Sequence, residues 1–231
     1  MKLVVSDLDG TILKRGEKEL NRNILSAIEY ILSNNVAFAV SSGRTYVELK
    51  KFFAPFENDI YFMANDGAQT IYKEETLSHF PLKADFASPS YALHGKYMTY
   101  IKTGDVPLTR RILKEYHNHV KVLDDSFPDE PVYKITDYAK VKFDALPLVY
   151  KDRTMNEYIA EGVDKGVALK LLLERLKIPK EECCSFGDNF NDIPMFNESG
   201  LSYAVANALP SVKKAADRVC AGLDTEIRKL I

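Results

Sequence analysis

Residues 4–11 read VVSDLDGT, and this stretch decides the fold. Its apolar start is typical of a buried parallel strand, and the carboxylates of Asp7 and Asp9 follow where that strand should end. Open α/β sheets bind their ligands at the carboxyl ends of their strands. The stretch therefore predicts a first strand that carries two acidic side chains into a binding site.

A second acidic segment lies far downstream, where residues 187–192 read GDNFND directly after the short apolar run 183–186. Here too the acidic residues come where a strand should stop. If the two strand ends meet, Asp7, Asp188 and Asp192 can surround one cation. Carboxylate oxygens are the ligands that a hard divalent ion such as Mg²⁺ prefers, so we expect Mg²⁺ as the cofactor.

Predicted strands and helices alternate on both sides of a central region, and this order indicates parallel pairing. The fold class is therefore α/β, with a Rossmann-like doubly wound parallel sheet as its core. The predicted elements are helices at 20–32, 45–53 and 165–176, strands at 36–40, 59–63, 69–72, 183–186 and 201–205, a helix after residue 187, a short helix from Pro210 and a last strand from Val219.

The central region, residues 81–155, has a different pattern, with prolines between short strand-like pieces. We expect it to form an inserted α+β cap domain on two chain crossings. Its candidate strands lie at 91–101, 132–135 and 141–150, and its candidate helix lies at 108–120. The α/β order is expected to resume at 156–160, so the predicted catalytic core is discontinuous and comprises residues 1–80 and 156–231.

The composition excludes several classes of protein. The formal net charge of the 231 residues is −2, which argues against nucleic acid as a partner, because phosphate neutralisation needs clustered Lys and Arg. No stretch approaches the roughly 18 apolar residues of a membrane span, so no membrane association is predicted. Residues 1–2 lead straight into the first strand without a signal peptide, and we expect a cytoplasmic protein with three buried, reduced cysteines. The oligomeric state stays unknown.

The two aspartates of the first strand suit phosphoryl transfer. Asp7 can attack phosphorus and form an aspartyl phosphate that water later hydrolyses. Asp9 stands two residues further along an extended tip, so it can protonate the leaving oxygen and afterwards take a proton from water. Burial beside other acids would favour the protonated form of Asp9 that this role needs.

Phosphoryl transfer also needs groups that balance the charge on the phosphate oxygens. Ser42 can donate its hydroxyl from a turn after the second strand, and Gly43 lets the backbone approach the phosphate. Lys165 opens a predicted helix, whose amino end already favours anions. Asp188 and Asp192 would complete the metal site.

These residues resemble, in chain order, the four motifs of the haloacid dehalogenase-like hydrolases: DLDGT at 7–11, SGR at 42–44, Lys165, and GDNFND at 187–192. The arrangement is similar to that of the Cof-type group, whose C2-type cap is inserted between the second and third motifs. Ser42 stands where many members have Thr, a change that keeps the hydroxyl. Residues 65–68, NDGA, resemble a further segment of this group, although a hairpin turn explains them equally well.

The resemblance implies a Mg²⁺-dependent phosphatase with Asp7 as nucleophile and Asp9 as general acid and base. It also implies that Asp7, the backbone carbonyl of Asp9 and Asp188 hold Mg²⁺, with Asp192 supporting it directly or through water. Ser42, Lys165 and Asn191 would contact the phosphate. The expected substrate is a small phosphomonoester, such as a sugar phosphate, phosphoglycolate or a similar metabolite.

Two other functions stay open from the sequence. A phosphomutase of the same superfamily would return the phosphoryl group to a sugar instead of to water. A phospho-acceptor module like a response-regulator receiver also unites acids, a hydroxyl and a Lys on a parallel sheet, but receivers are about half this length and lack an inserted cap. A binding protein on a retired catalytic core is disfavoured, because every chemical position is filled.

Overall fold

The computed structural model describes residues 1–14, 16–82, 87–116, 119–123, 127–143, 146–151 and 153–231. Two sheets organise this part of the chain. In chain order the strands are β1 (Leu3–Asp7), β2 (Ala37–Ser41), β3 (Tyr61–Ala64), β4 (Gln69–Tyr72), β5 (Glu75–His79), β6 (Tyr91–His94), β7 (Thr99–Lys102), β8 (Val120–Val122), β9 (Lys134–Asp137), β10 (Leu148–Lys151), β11 (Asn156–Tyr158), β12 (Cys183–Gly187), β13 (Leu201–Val205) and β14 (Arg218–Cys220).

The larger sheet has eight strands in the order β14-β13-β12-β1-β2-β3-β4-β5. Pairing is parallel from β14 to β3, and β4 and β5 join as antiparallel strands at one edge. All five residues of β1 are buried, as expected for a strand that is covered on both faces. The carboxyl ends of β1 and β12 therefore lie side by side.

Seven α-helices lie in the described residues: α1 (Arg22–Ser33), α2 (Tyr46–Phe52), α3 (Val106–Tyr116), α4 (Lys165–Leu176), α5 (Ile193–Asn197), α6 (Pro210–Ala215) and α7 (Leu223–Leu230). The first of them illustrates how they form. Asn21 caps α1 by accepting a hydrogen bond from the backbone N–H of Ile24, and the helix buries Ile24, Ile28 and Ile31 at helical spacing. These side chains join the main core beneath the larger sheet.

The smaller sheet has six strands in the order β10-β11-β9-β6-β7-β8. All of its pairs are antiparallel except β7 with β8. Helix α3 packs on this sheet, where Ile112 joins Ala92 and Ile101 in a small core. An antiparallel sheet with one helix is the α+β arrangement that the sequence predicted for the insert.

Several details of the insert differ from the predictions. The predicted helix 108–120 begins two residues earlier, as α3, and its last predicted residue instead begins strand β8. The segment 156–160 does not resume the α/β order, because β11 pairs with β9 and β10 in the smaller sheet. The predicted strand 91–101 is two strands, β6 and β7, joined by a turn that contains Gly95. The predicted strand 141–150 narrows to β10 at its end, and residues 144–145 lie outside the described residues. Short strands without a regular alternation of polar residues give little signal for their partners.

The division into core and cap stays a prediction, and the strand pairing moves its second boundary beyond Tyr158.

Where the two sheets approach, the tip of the β4–β5 hairpin contacts the β6–β7 turn. The side chain of Glu74 accepts a hydrogen bond from the Tyr97 hydroxyl at 2.7 Å, and its backbone carbonyl accepts one from Lys96 at 2.6 Å. No helix in the described ranges has the length and apolar character that a membrane crossing requires.

Candidate active site

Asp7 ends β1 and is almost completely buried. Its Oδ1 accepts a hydrogen bond from the Lys165 ammonium at 2.7 Å, and the same ammonium donates to Asp192 Oδ1 at 2.7 Å. Asp7 Oδ2 is buried without a hydrogen-bond partner. A buried carboxylate oxygen without a donor is costly unless a cation or ligand joins it.

Three carboxylates meet at this point, as the sequence predicted. Oxygens of Asp7, Asp188 and Asp192 lie within 4.8 Å of one another. Three carboxylates at this separation could hold a single divalent ion, and Asp7 has one oxygen, Oδ2, that no protein group engages. The residues present therefore fit Mg²⁺.

The charges of the cluster do not balance. Burial raises the pKa of Asp7 well above its ordinary value, and the carboxylates of Asp192 and Asp188 raise it further against the effect of Lys165. Burial and the neighbouring Asp192 likewise raise the pKa of Asp188 to about 6. Burial alone would lower the pKa of Lys165, but Asp192 and Asp7 hold that pKa above its usual range. One ammonium beside three carboxylates leaves an excess of negative charge that suits a cation.

Local sequence holds the acidic loops in place. Lys165 is the first residue of α4, and the preceding Asp164 caps that helix by accepting from the backbone N–H of Val167 at 2.8 Å. Gly10 has a φ of +92°, and a Cβ at this position would lie 2.3 Å from Asp188 Oδ2. Only glycine therefore lets the first loop pass so close to the second.

Besides its contact with Lys165, Asp192 holds the backbone of the loop that follows β12. Its Oδ2 accepts hydrogen bonds from the backbone N–H groups of Asp188 and Asn189, at 2.9 and 3.0 Å, while Oδ1 faces Lys165. Both oxygens are thus engaged, unlike Oδ2 of Asp7. This favours Asp192 as a residue that orients the loop, with support of the metal through water.

Ser42 and Gly43 follow β2, beside Asp7. Ser42 is buried, and its Oγ accepts a hydrogen bond from the backbone N–H of Arg44 at 3.2 Å. A Cβ on Gly43 would lie 2.9 Å from a carboxylate oxygen of Asp66, so a larger residue would displace that side chain. The turn is therefore compact and brings its backbone close to the cavity that Asp7 lines.

Asp9 lies differently from the prediction. Its side chain is 48% exposed and is not buried beside other acids. Arg44 donates two hydrogen bonds to it, from Nε and Nη2, each at 2.7 Å. A guanidinium matches both carboxylate oxygens at once, and this bidentate pair holds Asp9 at the edge of the cavity.

Asn191 and Asp66 meet across the same opening. Asn191 Nδ2 donates to Asp66 Oδ1 at 2.9 Å, and both residues line the cavity with Ser42. Asp66 has a φ of +55° within a short 3₁₀ turn between β3 and β4. The segment 65–68 is thus a turn, as one of its two interpretations required, and it also reaches the site.

A cavity of about 550 Å³ lies between these residues and the smaller sheet. Its size is within the range typical of pockets for metabolites. The larger sheet contributes Asp7, Asp9, Ser42, Asp188 and Asn191, and the insert contributes Lys134, Thr136 and Glu157. Every predicted site residue except Lys165 and Asp192, which are buried beneath the floor, lines this cavity.

Comparison with known proteins identifies the family. Two segments, residues 4–97 and 96–225, match the family described as haloacid dehalogenase-like hydrolase. The chain belongs to this family. Among curated relatives of the hydrolase, a 5-amino-6-(5-phospho-D-ribitylamino)uracil phosphatase of Escherichia coli is 27% identical over 94% of this chain and 89% of that protein. A phosphoglycolate phosphatase of Saccharolobus solfataricus is 24% identical over 95% and 89%, respectively.

Solved structures share the fold of the hydrolase. A protein from Eubacterium rectale superposes with a TM-score of 0.89 at 24% identity, covering 100% of this chain and 99% of that chain. A haloacid dehalogenase-like hydrolase from B. subtilis gives a TM-score of 0.81 at 20% identity, with both chains fully covered. The predicted Cof-type family, the fold class and the enzyme class, a phosphoric monoester hydrolase, are confirmed.

Among the charged residues of the hydrolase that line the cavity, the sequence did not single out Arg44, Lys134 or Glu157. Arg44 was part of a motif without a role of its own, and it holds Asp9. Lys134 and Glu157 come from the insert, and their side chains form an ion pair of 3.2 Å. The spacing of Lys134 and Thr136, two residues apart on β9, could have indicated that both side chains lie on one polar face of the strand. Nothing in the sequence indicated that this face meets the core.

Proposed function

We propose that the hydrolase removes the phosphoryl group from a small phosphomonoester through an aspartyl phosphate on Asp7, with Mg²⁺ as cofactor. The observation that carries the proposal is the environment of Asp7. This carboxylate ends the central strand at the floor of the cavity, with one oxygen held by Lys165 and the other without a partner. A nucleophile needs an oxygen that is not engaged by the protein.

The first half of the reaction would use Asp7 and Asp9. A carboxylate oxygen of Asp7 attacks phosphorus and forms the new P–O bond, while the bond to the leaving oxygen breaks. Asp9 donates a proton to that oxygen, and the alcohol leaves. For this step the Asp9 carboxyl must release Arg44, which lies at the same edge of the cavity.

The second half would regenerate the enzyme. Asp9 takes a proton from a water molecule, the water oxygen attacks the phosphoryl group, and the bond to Asp7 breaks to give inorganic phosphate. Closure of the cavity by the insert would exclude other water during the first half.

The phosphate oxygens would be bound by a set of donors around Asp7. Ser42 can offer its hydroxyl, Gly43 its backbone and Asn191 its amide at the cavity. The Lys165 ammonium, buried beside Asp7 at the amino end of α4, would add positive charge from beneath the cavity floor. Asp7, the backbone carbonyl of Asp9, Asp188 and Asp192 would hold Mg²⁺, which supplies positive charge against the phosphate oxygens when bound. The buried acidic cluster supports this assignment.

The cavity and the names of the relatives both bear on the substrate class. Relatives of the hydrolase are named as phosphatases for a phosphorylated ribityl compound, for phosphoglycolate and for HMP-PP. We therefore propose a small phosphorylated metabolite as the substrate. The predicted cytoplasmic location stays a prediction.

The test is phosphate release across a panel of phosphorylated metabolites, with Mg²⁺ and with a chelator. We expect release of inorganic phosphate that depends on Mg²⁺ and stops when the metal is removed. An isomerised sugar phosphate without free phosphate would instead identify a phosphomutase. A stable phosphoprotein that never turns over would contradict both.

A further inference from the structure

The insert presents a polar group of three side chains to the cavity, namely Lys134 and Thr136 on β9 and Glu157 on β11. All three line the cavity with Asp7 and Asp9. Thr136 and Glu157 are directly paired across the two strands, so they share one face of the smaller sheet. Lys134 lies two residues from Thr136 and therefore on that same face.

This group lies next to the predicted phosphate-binding turn. The Lys134 ammonium donates a hydrogen bond to the backbone carbonyl of Gly43 and also pairs with Glu157 Oε1 at 3.2 Å. A single nitrogen atom thus separates the Glu157 carboxylate from the turn. A substrate group beside Glu157 would therefore lie close to a phosphate bound at that turn.

A network of hydrogen bonds orients Glu157. The Thr136 hydroxyl lies 3.1 Å from Glu157 Oε1, and because a carboxylate only accepts, Thr136 must be the donor. Thr136 Oγ1 then accepts from His94 Nε2 at 2.9 Å, and His94 Nδ1 accepts from the Thr99 hydroxyl at 3.1 Å. Burial and the nearby Lys134 keep the pKa of His94 well below its ordinary value, in agreement with a neutral ring in this chain.

The contacts leave one oxygen of Glu157 available. Lys134 and Thr136 both bind Oε1, and in the described ranges no group donates to Oε2. The Glu157 side chain is only 14% exposed, and that exposed part faces the cavity that it lines. A partly buried carboxylate oxygen attracts hydrogen-bond donors and repels a second anion.

The chemistry of this position favours one kind of leaving group. Glu157 offers an acceptor, and the ammonium of Lys134 has three protons, of which Gly43 and Glu157 take two. An acceptor beside a donor matches a hydroxyl group, which both donates and accepts. A carboxylate at the same depth would meet Glu157, and the charge of Lys134 is already paired there.

We propose that Glu157, oriented by Lys134 and Thr136, is the specificity-determining residue that selects phosphate esters of neutral, hydroxylated alcohols over phosphate esters with a carboxylate beside the phosphate. The inference rests on the proposed phosphatase function and names the substrate class of the same site. Phosphoglycolate, although two relatives are named for it, is then a poor substrate for this chain.

The test compares two esters that differ mainly at one group, 2-hydroxyethyl phosphate and 2-phosphoglycolate, with p-nitrophenyl phosphate as a general substrate. We expect the wild-type kcat/KM to be at least about tenfold higher for the hydroxylated ester, and we expect Glu157→Gln to reduce this ratio about tenfold, as for a weakened hydrogen bond to a charged group. The exposed Glu161 provides the matched control, and Glu161→Gln should keep the wild-type ratio.

Each result bears on one of the two proposals. A wild-type preference for 2-phosphoglycolate, or a ratio that Glu157→Gln leaves unchanged, would overturn the inference while the phosphatase function stands. Failure of the wild-type enzyme on all three esters with Mg²⁺ would instead count against the proposed function. If Glu157→Gln does not fold, Thr136→Val tests the same network, and it should lower the ratio in the same direction by a smaller factor.

Discussion

At Asp7, a single buried ammonium group faces three carboxylates. The residue types at this site could be predicted from the sequence, because Asp7, Asp188 and Lys165 each stand at the boundary of a strand or helix with clear signals. The direction of each side chain could not. Asp9 illustrates the limit, since its pairing with Arg44 is a contact over 35 positions that no local pattern encodes.

The nucleophile assignment predicts the effect of one isosteric change. Asp7→Asn keeps the shape of the side chain but removes the charge that attacks phosphorus, so kcat should fall by roughly a thousandfold or more. Phosphate release under saturating substrate measures this. Asp59→Asn, at an exposed position, serves as the control and should retain full activity. Release at a near-normal rate by Asp7→Asn would remove the assignment.

We predict that replacing Lys165 lowers the stability of the folded protein. Its side chain is 1% exposed, and it binds both Asp7 and Asp192. Lys165→Met leaves these buried carboxylates without their cation, and the loss of one partner from a buried ion pair costs about 3–5 kcal/mol. Urea unfolding without metal should show this decrease, whereas Lys170→Met, on the exposed side of α4, should change little. Equal midpoints for the two variants would contradict the prediction.

At the scale of elements, the strands that the sequence predicted best are those buried on both faces. Strand β13 and helix α4 match the predicted 201–205 and 165–176 at both ends, because their apolar runs are bounded by clear turn and capping residues. Strand β5 and helix α7 were not predicted. Strand β5 lies at a sheet edge and is half exposed. A strand in this position needs no alternation of apolar and polar residues, so its sequence did not indicate a strand.

We predict that the free energy of unfolding depends on pH through His94, which lies in the smaller sheet. Burial and Lys134 lower its pKa in the folded protein, while an unfolded His has a pKa of about 6.5. Below that pH the unfolded chain binds a proton that folded His94 does not. The stability that His94 contributes is therefore present above about pH 6.5 and is lost as the pH falls, by up to about 1.4 kcal/mol per pH unit.

Urea unfolding between pH 7.5 and 5 measures this effect. The wild-type midpoint should fall more steeply with decreasing pH than the midpoint of His94→Gln, whose side chain does not titrate. His79→Gln is the control, because His79 is exposed, and it should follow the wild-type curve. Parallel curves for wild type and His94→Gln would show that His94 does not cause the dependence.

At the scale of the whole molecule, the sequence predicted that the site gathers residues from distant parts of the chain, and the structure brings Asp7, Asp188 and Asp192 together. This worked because parallel strands in one sheet align their carboxyl ends. The partners of the cap strands were harder to predict. The α/β order does not resume at 156–160 as predicted, because the three residues of β11 carry too little pattern to choose between two sheets.

The acidic cluster predicts that Mg²⁺ stabilises the folded molecule. The unfolded chain has no assembled site, so an ion that binds only the folded state adds about 2.7 kcal/mol at a hundred times its Kd. The melting temperature should rise with Mg²⁺ and return after a chelator is added. Asp188→Asn should lose most of this rise and Asp59→Asn should keep it. A rise of the same size in Asp188→Asn would place the ion elsewhere.

The position of β1 has a consequence for biosynthesis. This strand lies between β2, which follows it closely in the chain, and β12, which is synthesised only after the entire insert. A nascent chain on the ribosome therefore presents one unpaired side of an apolar strand until residues 183–187 emerge. Chaperone capture of the early polypeptide would protect that side from aggregation, and no truncated product that stops before β12 could assemble the acidic cluster of Asp7, Asp188 and Asp192.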